Sequence, residues 1–390
     1  MVGTNRFYHV YHFSAALREP KHLRVVMTRS DMHSAVIAVV AMLVMTASIA
    51  SVTQVRSLPT FEVDPAWPKV PAQWRLGDPS SFAIDAQDNV WLLHRPRTLP
   101  ADQASMAAPP VMVFSASGAF IRAWGGSGQG YEWPEREHGI HIDTNGFVWI
   151  GGNNCPTNGL PGLRPVADDQ LLKFSQDGKL VLQIGRSNQS RGNADTRNVH
   201  RAADAWVHAP TNEVFVADGY GNHRVIVFDA GTGAFKRMWG AFGDRPVDDD
   251  HCEVVTPKAV ADPGPRNFSI VHALRVARDG TVYVADRENR RIQVFTADGT
   301  FVRQLVKADT PFARNLALSP DREQQFMYVG NGDDITIVDR KALAIVGSIR
   351  PAGLRNGGHQ IATDSQGNIY VAQTTSGLQK LTFKGMSPAR

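Results

Sequence analysis

The sequence predicts an all-β fold, a six-bladed β-propeller closed by its own N-terminal strand. Three observations predict it: one four-strand pattern recurs six times, Gly-containing tight turns separate its strands, and the sixth copy stops one strand short while a spare strand precedes the first. A repeated unit of this size, unable to bury its own faces, reads as a propeller blade.

The second strand of each unit is the most legible. It reads VWLLHR (Val90–Arg95), VWIGGN (Val148–Asn153), VFVADGY (Val214–Tyr220), VYVADR (Val282–Arg287), MYVGNGD (Met327–Asp333) and IYVAQT (Ile369–Thr374). Each is β-branched and aromatic, the composition of a strand. A short alternating first strand precedes each one, as in GIHIDTNG or ALRVARDG, and two further strands follow around another turn, as in LLKFSQDGKLVLQI. Asp-Gly, Asn-Gly and Thr-Gly supply the positive φ angles that such hairpins need. The last unit ends at LQKLTF, so Phe61-Glu62-Val63 is expected to complete that blade and remove an exposed edge. A two-domain β protein would not repeat one pattern six times.

The chain has 390 residues, 43% hydrophobic and 20% charged, which excludes disordered and collagen-like classes. Its net charge of +4 comes largely from residues 1–34, where Arg6, Arg18, Lys21, Arg24 and Arg29 face only Glu19 and Asp31. The near-neutral remainder lacks the basic footprint of a nucleic-acid binder. From Ala35 to Val52 runs AVIAVVAMLVMTASIASV, with a basic flank before it and small residues at its end. That is the plan of a secretory signal, and the run is also long enough for a marginal membrane anchor. We therefore expect residues 1–52 to be an extension with a signal or anchor, residues 53–390 to be the propeller, and the body to be exported, periplasmic or secreted, as a monomer. Two cysteines, Cys155 and Cys252, allow at most one bridge and no disulfide framework.

Aligning the units on their first strands places Ser80, His138, Ala203, His272, Arg314 and His359 at one equivalent position. Histidine thus falls in the second, fourth and sixth units, about 120° apart around the channel of a closed six-blade ring. Three converging imidazoles with an open position are how a catalytic zinc is held. A lone histidine is more often a hydrogen-bonded core residue, which is how we read His141, turned by strand alternation to the other face. Arg95, Tyr220 and Arg287 close the second strands of the first, third and fourth units, at the same rim as the histidines. Two guanidiniums and a phenol there can bind a carboxylate and move a proton. Asp218 and Asp286 are read as braces of strand ends, and Trp124 and Trp239 as blade packing. The longer insertions, 96–110, 151–168, 186–202 and 240–268, share one face, which marks it as the binding face.

These residues resemble the peptidyl-α-hydroxyglycine α-amidating lyases, six-bladed propellers with NHL-type repeats. The resemblance rests on VFVADGYGNHRVIVF (Val214–Phe228) and VHALRVARDGTVYVADRENRRIQVF (Val271–Phe295), similar to the family's DGY-x-N-x-R and ADREN-x-RIQ segments. It implies that His138, His272 and His359 bind zinc, that Tyr220 is catalytic, and that Arg95 and Arg287 are active-site arginines. It also implies a reaction, cleavage of a small-molecule or peptide carbinolamide into an amide and glyoxylate. The sequence departs from the family at Gln360, where the family has an aspartate that helps hold calcium, and at Gly221, a cysteine in animal members. Calcium is accordingly not expected. The competing readings are a non-catalytic propeller that binds a protein, peptide or glycan on its loop face, and a calcium-dependent lactonase-type propeller. The second is disfavoured by nitrogen donors where oxygen ligands belong.

Overall fold

The structure is a computed structural model that describes residues 57–157, 162–248, 262–307, 309 and 312–388. The segment 35–52 and Cys252 lie outside the described residues. Within them are six four-stranded antiparallel sheets, five of which run in simple chain order from inner to outer strand. The first is Asp78–Ile84, Val90–Arg95, Val111–Phe114 and Phe120–Trp124; the fourth is Val271–Val276, Val282–Asp286, Arg291–Phe295 and Phe301–Val306. The sixth consists of Gln360–Thr363, Ile369–Gln373 and Gly377–Pro388, with Ser57–Val63 added at its outer edge. Phe61 pairs with Phe383 and Val63 with Leu381, so the N-terminal strand closes the propeller as the short last unit predicts.

The alternating side chains of the second strands explain why the sheets stack. In Glu213–Asp218, Phe215 enters a core shared with Val284 of the fourth blade, while its neighbour Val216 enters one shared with Trp149 of the second. A cluster of this kind fills each interface between neighbouring blades, including that between the sixth and first, where Tyr370 meets Phe82 and Trp67. Each large apolar side chain so buried contributes about 1.5–3 kcal/mol relative to exposure. Outer strands such as Phe120–Trp124 are only half covered. Trp124 packs on Trp91, Trp133 and Phe174, and Trp239 on Phe215 and Phe295.

The turns between first and second strands carry their own lock in three blades. Asp85, Asp143 and Asp364 each accept turn N–H groups and a ring donor six residues on, from Trp91 Nε1 at 2.9 Å, Trp149 Nε1 at 3.0 Å and Tyr370 Oη at 2.9 Å. The aspartate therefore fixes both the turn and the aromatic that fills the interface, on the face opposite the long insertions. No described helix is long and apolar enough to cross a membrane.

Candidate metal centre

The six innermost positions named from the sequence coincide in the structure. The N–H groups of Ala203, Arg314 and His359 each bond to the second-strand carbonyl opposite the next residue, Ala217, Gly330 and Ala372. At Ser80, His138 and His272 the strand register slips at the same place, giving a bulge rather than the regular strand expected. A bulge re-aims the side chain it holds. At Gly139 a Cβ would meet the Ala203 carbonyl oxygen at 2.5 Å, so glycine there lets the next blade approach.

His138, His272 and His359 converge in the channel. Their ring centroids are 4.9, 4.6 and 5.0 Å apart, and one nitrogen from each lies within 4.8 Å of the others. His138 Nδ1 is 2.7 Å from the Ala203 carbonyl and His359 Nδ1 is 2.6 Å from that of Ser80. A carbonyl only accepts, so both Nδ1 atoms carry the proton and both Nε2 lone pairs are free for coordination. The partners are the equivalent residues of the next blade, so the repeat that places the imidazoles also orients them. His272 differs: it is 1% exposed and, among the described residues, neither ring nitrogen has a hydrogen-bond partner. Burial, together with His359 and Arg95 for His138, Arg287 for His272 and Arg95 for His359, holds all three well below the usual imidazole range, so they are neutral. Three neutral imidazoles, one with orphaned buried nitrogens, are a donor set that fits a divalent metal.

Tyr220 stands two residues beyond Glu213–Asp218, and Arg287 one beyond Val282–Asp286. The Tyr220 hydroxyl donates to His138 Nε2 at 3.1 Å and accepts from Arg287 Nη1 at 2.9 Å, the Arg287 guanidinium lying over its ring. Arg287 Nε is held by Glu288 Oε1 at 2.7 Å. Arg95 is 5% exposed; its Nε donates to the Glu137 carbonyl at 2.8 Å, while a terminal nitrogen, Nη2, is buried without a partner. Burial and the nearby Arg136 charge lower its pKa to about 10. The six residues selected from the sequence thus occupy one site.

Their supports are mostly buried carboxylates. Asp218 Oδ2 accepts from Asn222 Nδ2 and Arg224 Nε, both at 2.8 Å, and Asp286 Oδ2 does the same with Asn289 and Arg291 at 2.8 and 2.7 Å. These aspartates brace strand ends, as the sequence reading held. Their arginines do more: Arg224 ties down the carbonyls of Asn193, Asp195 and Asn198, and Arg291 those of Pro263, Pro265 and Asn267. Asp168, pushed up to about 6 by burial, accepts the N–H groups of Glu135, Arg136 and Asn154. The described parts of three long insertions are therefore stapled to the blades.

Other residues fall outside the site. His94, beside Arg95, is fully buried between the Gly77 N–H and the Pro109 carbonyl, and burial lowers it to about 4. His141 accepts from Val207 N at 3.1 Å and stacks on Trp206 at 4.6 Å, the packing role assigned to it. Gln360 Nε2 donates to the His272 carbonyl at 3.3 Å. A Cβ on Gly221 would lie 2.0 Å from the His200 ring, so the glycine makes room for a histidine paired with Asp169. Cys155 is disulfide-bonded. The sequence reading missed Arg136 and gave no role to Arg314, although the latter stands at a site-lining repeat position.

Parts of the chain are similar in sequence to known proteins. The NHL repeat profile matches residues 268–295, which include His272 and Arg287. The chain is 33% identical to the peptidylglycine alpha-amidating monooxygenase of Rattus norvegicus over 184 residues, 46% of this chain and 15% of that protein. It is 25% identical to a probable peptidyl-alpha-hydroxyglycine alpha-amidating lyase of Caenorhabditis elegans over 246 residues, 60% of each. To human NHL repeat-containing protein 3 it is 26% identical over 243 residues, 61% of this chain and 57% of that one. In each case the match spans less than two thirds of the relative.

Proposed function

We propose, from the resemblance of this NHL-repeat propeller to the peptidyl-α-hydroxyglycine α-amidating lyases, that it is an exported metal-dependent lyase acting on a carbinolamide. The substrate would be a peptidyl-α-hydroxyglycine or a close small-molecule analogue, and the products an amide and glyoxylate. One observation carries the proposal: the Tyr220 oxygen is shared between His138 Nε2 and Arg287, at the edge of the three-imidazole cluster.

His138, His272 and His359 would hold zinc through ring nitrogens, and the ion would supply Lewis acidity toward the substrate hydroxyl. The chain's own groups do the rest. Arg95, with its unpartnered nitrogen, receives the carboxylate beside the reacting carbon. Tyr220 takes the hydroxyl proton as its own O–H proton passes to the departing nitrogen, and Arg287 keeps the phenol oxygen oriented. As the C–O bond becomes a carbonyl, the C–N bond breaks and its electron pair goes to the amide nitrogen. That nitrogen receives a proton, which balances the one removed, and glyoxylate and the amide leave.

The test is glyoxylate release from a short peptide ending in α-hydroxyglycine, by protein loaded with zinc and by the same protein stripped with a chelator. Release by the loaded form alone supports the reading. No release above the stripped control overturns it and leaves a propeller that binds on its loop face.

A further inference from the structure

Two guanidinium pairs stand on opposite sides of the histidine cluster. Arg95 and Arg136 belong to the first and second blades, Arg287 and Arg314 to the fourth and fifth, and in a ring of six those walls face each other across the axis. Arg314 precedes the strand Leu316–Leu318 at the position equivalent to the three histidines, and its N–H bonds to Gly330 as that of His359 does to Ala372. Its charge is felt by both His272 and His359, and that of Arg136 by His138 and Arg95. Among the described residues, neither the Arg136 nor the Arg314 side chain has a hydrogen bond or ion pair.

Among the described residues, the one ion pair made by these four arginines is that of Arg287 with Glu288. Glu288 is already held by Arg287 Nε at 2.7 Å, and the buried Glu137 carboxylate is engaged by Trp133 Nε1 at 2.8 Å. Half-buried like charges left unpaired beside one another cost stability, which a fold does not carry on both sides of a site without a use for them. One carboxylate on the reacting carbon can answer only one wall.

We propose that the substrates of this site are dianions: carbinolamides with a second carboxylate on the acyl side, bound by Arg314 on one wall while Arg95 and Arg136 take the first. This rests on the lyase reading for the reaction, but the charge recognition can be measured without turnover. The probes are glutarate and pentanoate, which share a five-carbon chain and differ by a terminal carboxylate in place of a methyl group. Titrated calorimetrically into the zinc-loaded full chain, glutarate should bind about tenfold more tightly, a charge-assisted guanidinium contact being the difference. In Arg314→Gln that ratio should fall toward one, and in Arg314→Lys it should be partly retained, with melting temperature reporting the fold of each.

A parallel arm compares glyoxylate release from N-succinyl- and N-butyryl-α-hydroxyglycine. Equal binding of the two probes by the wild type, which needs no variant, overturns the proposal, as does a preference that survives Arg314→Gln. A glutarate preference with no glyoxylate from either substrate keeps the dianion site and rejects the lyase. Equal turnover of both substrates with equal probe binding keeps the lyase and rejects the dianion site.

Discussion

The phenol oxygen of Tyr220 lies 3.1 Å from Nε2 of His138, the same nitrogen that the Ala203 carbonyl leaves free for coordination by binding Nδ1–H. A metal at the cluster and the Tyr220 proton therefore compete for one lone pair. Loading the site would turn the Tyr220 O–H away from the imidazole, while Arg287 keeps the oxygen in place. The acid–base group and the metal ligand set are thus coupled by a single hydrogen bond.

Metal content should depend on His272 above all. It is buried and, among the described residues, has no hydrogen-bond partner for either nitrogen, a need that coordination would meet. We expect the purified protein to hold about one divalent ion per chain and His272→Ala to lose most of it, since two imidazoles retain zinc far less tightly than three. Elemental analysis after dialysis decides this, and full occupancy in His272→Ala would sink the site.

Asp286→Asn should destabilise the fold by about 3–5 kcal/mol, the usual cost of leaving one partner of a buried ion pair uncompensated. Arg291 and Asp286 are at most 1% exposed, and the freed guanidinium would also loosen its hold on the carbonyls of Pro263, Pro265 and Asn267. Chemical denaturation measures the first effect, and faster proteolytic cutting in that insertion the second. A stability within about 1 kcal/mol of wild type would contradict the staple.

The His200–Asp169 pair predicts a pH dependence. Burial opposes the imidazolium charge, but the Asp169 carboxylate 2.5 Å away outweighs it and holds His200 above its ordinary value of 6.5. A raised folded pKa means that the folded state binds the proton more tightly than the unfolded chain. The pair's contribution is then fully present below pH 6.5 and fades as pH rises through the folded value. The melting-temperature gap between wild type and His200→Gln should be widest in mild acid and narrow in alkali. A gap that stays constant or widens with pH would contradict the assignment.

Most of the architecture was legible in the residues because the repeat is local: an Asp or Asn before a Gly, a strand of alternating apolar residues. The convergence of His138, His272 and His359 was legible for the same reason, since one repeat position maps onto one level of a closed ring. What stayed hidden depends on contacts between blades. Nothing in the run around Ser80 or Ala203 announces that their carbonyls orient imidazoles of neighbouring blades. Nor does the sequence around Arg136, half-buried at the start of an inner strand, distinguish it from a surface arginine. His200 is similar: its link to Gly221 is a steric fact, visible only once the two loops are placed side by side.

The most direct test of the account is Tyr220→Phe. The change removes one oxygen, keeps the ring that packs against His138 and under Arg287, and leaves all three imidazoles in place. Metal content and melting temperature should match the wild type, while glyoxylate release from a peptidyl-α-hydroxyglycine falls on the order of 10²–10⁴-fold, the usual contribution of a positioned acid–base group. A variant that keeps its metal and turns over at the wild-type rate would contradict the role given to Tyr220 at the centre of this site.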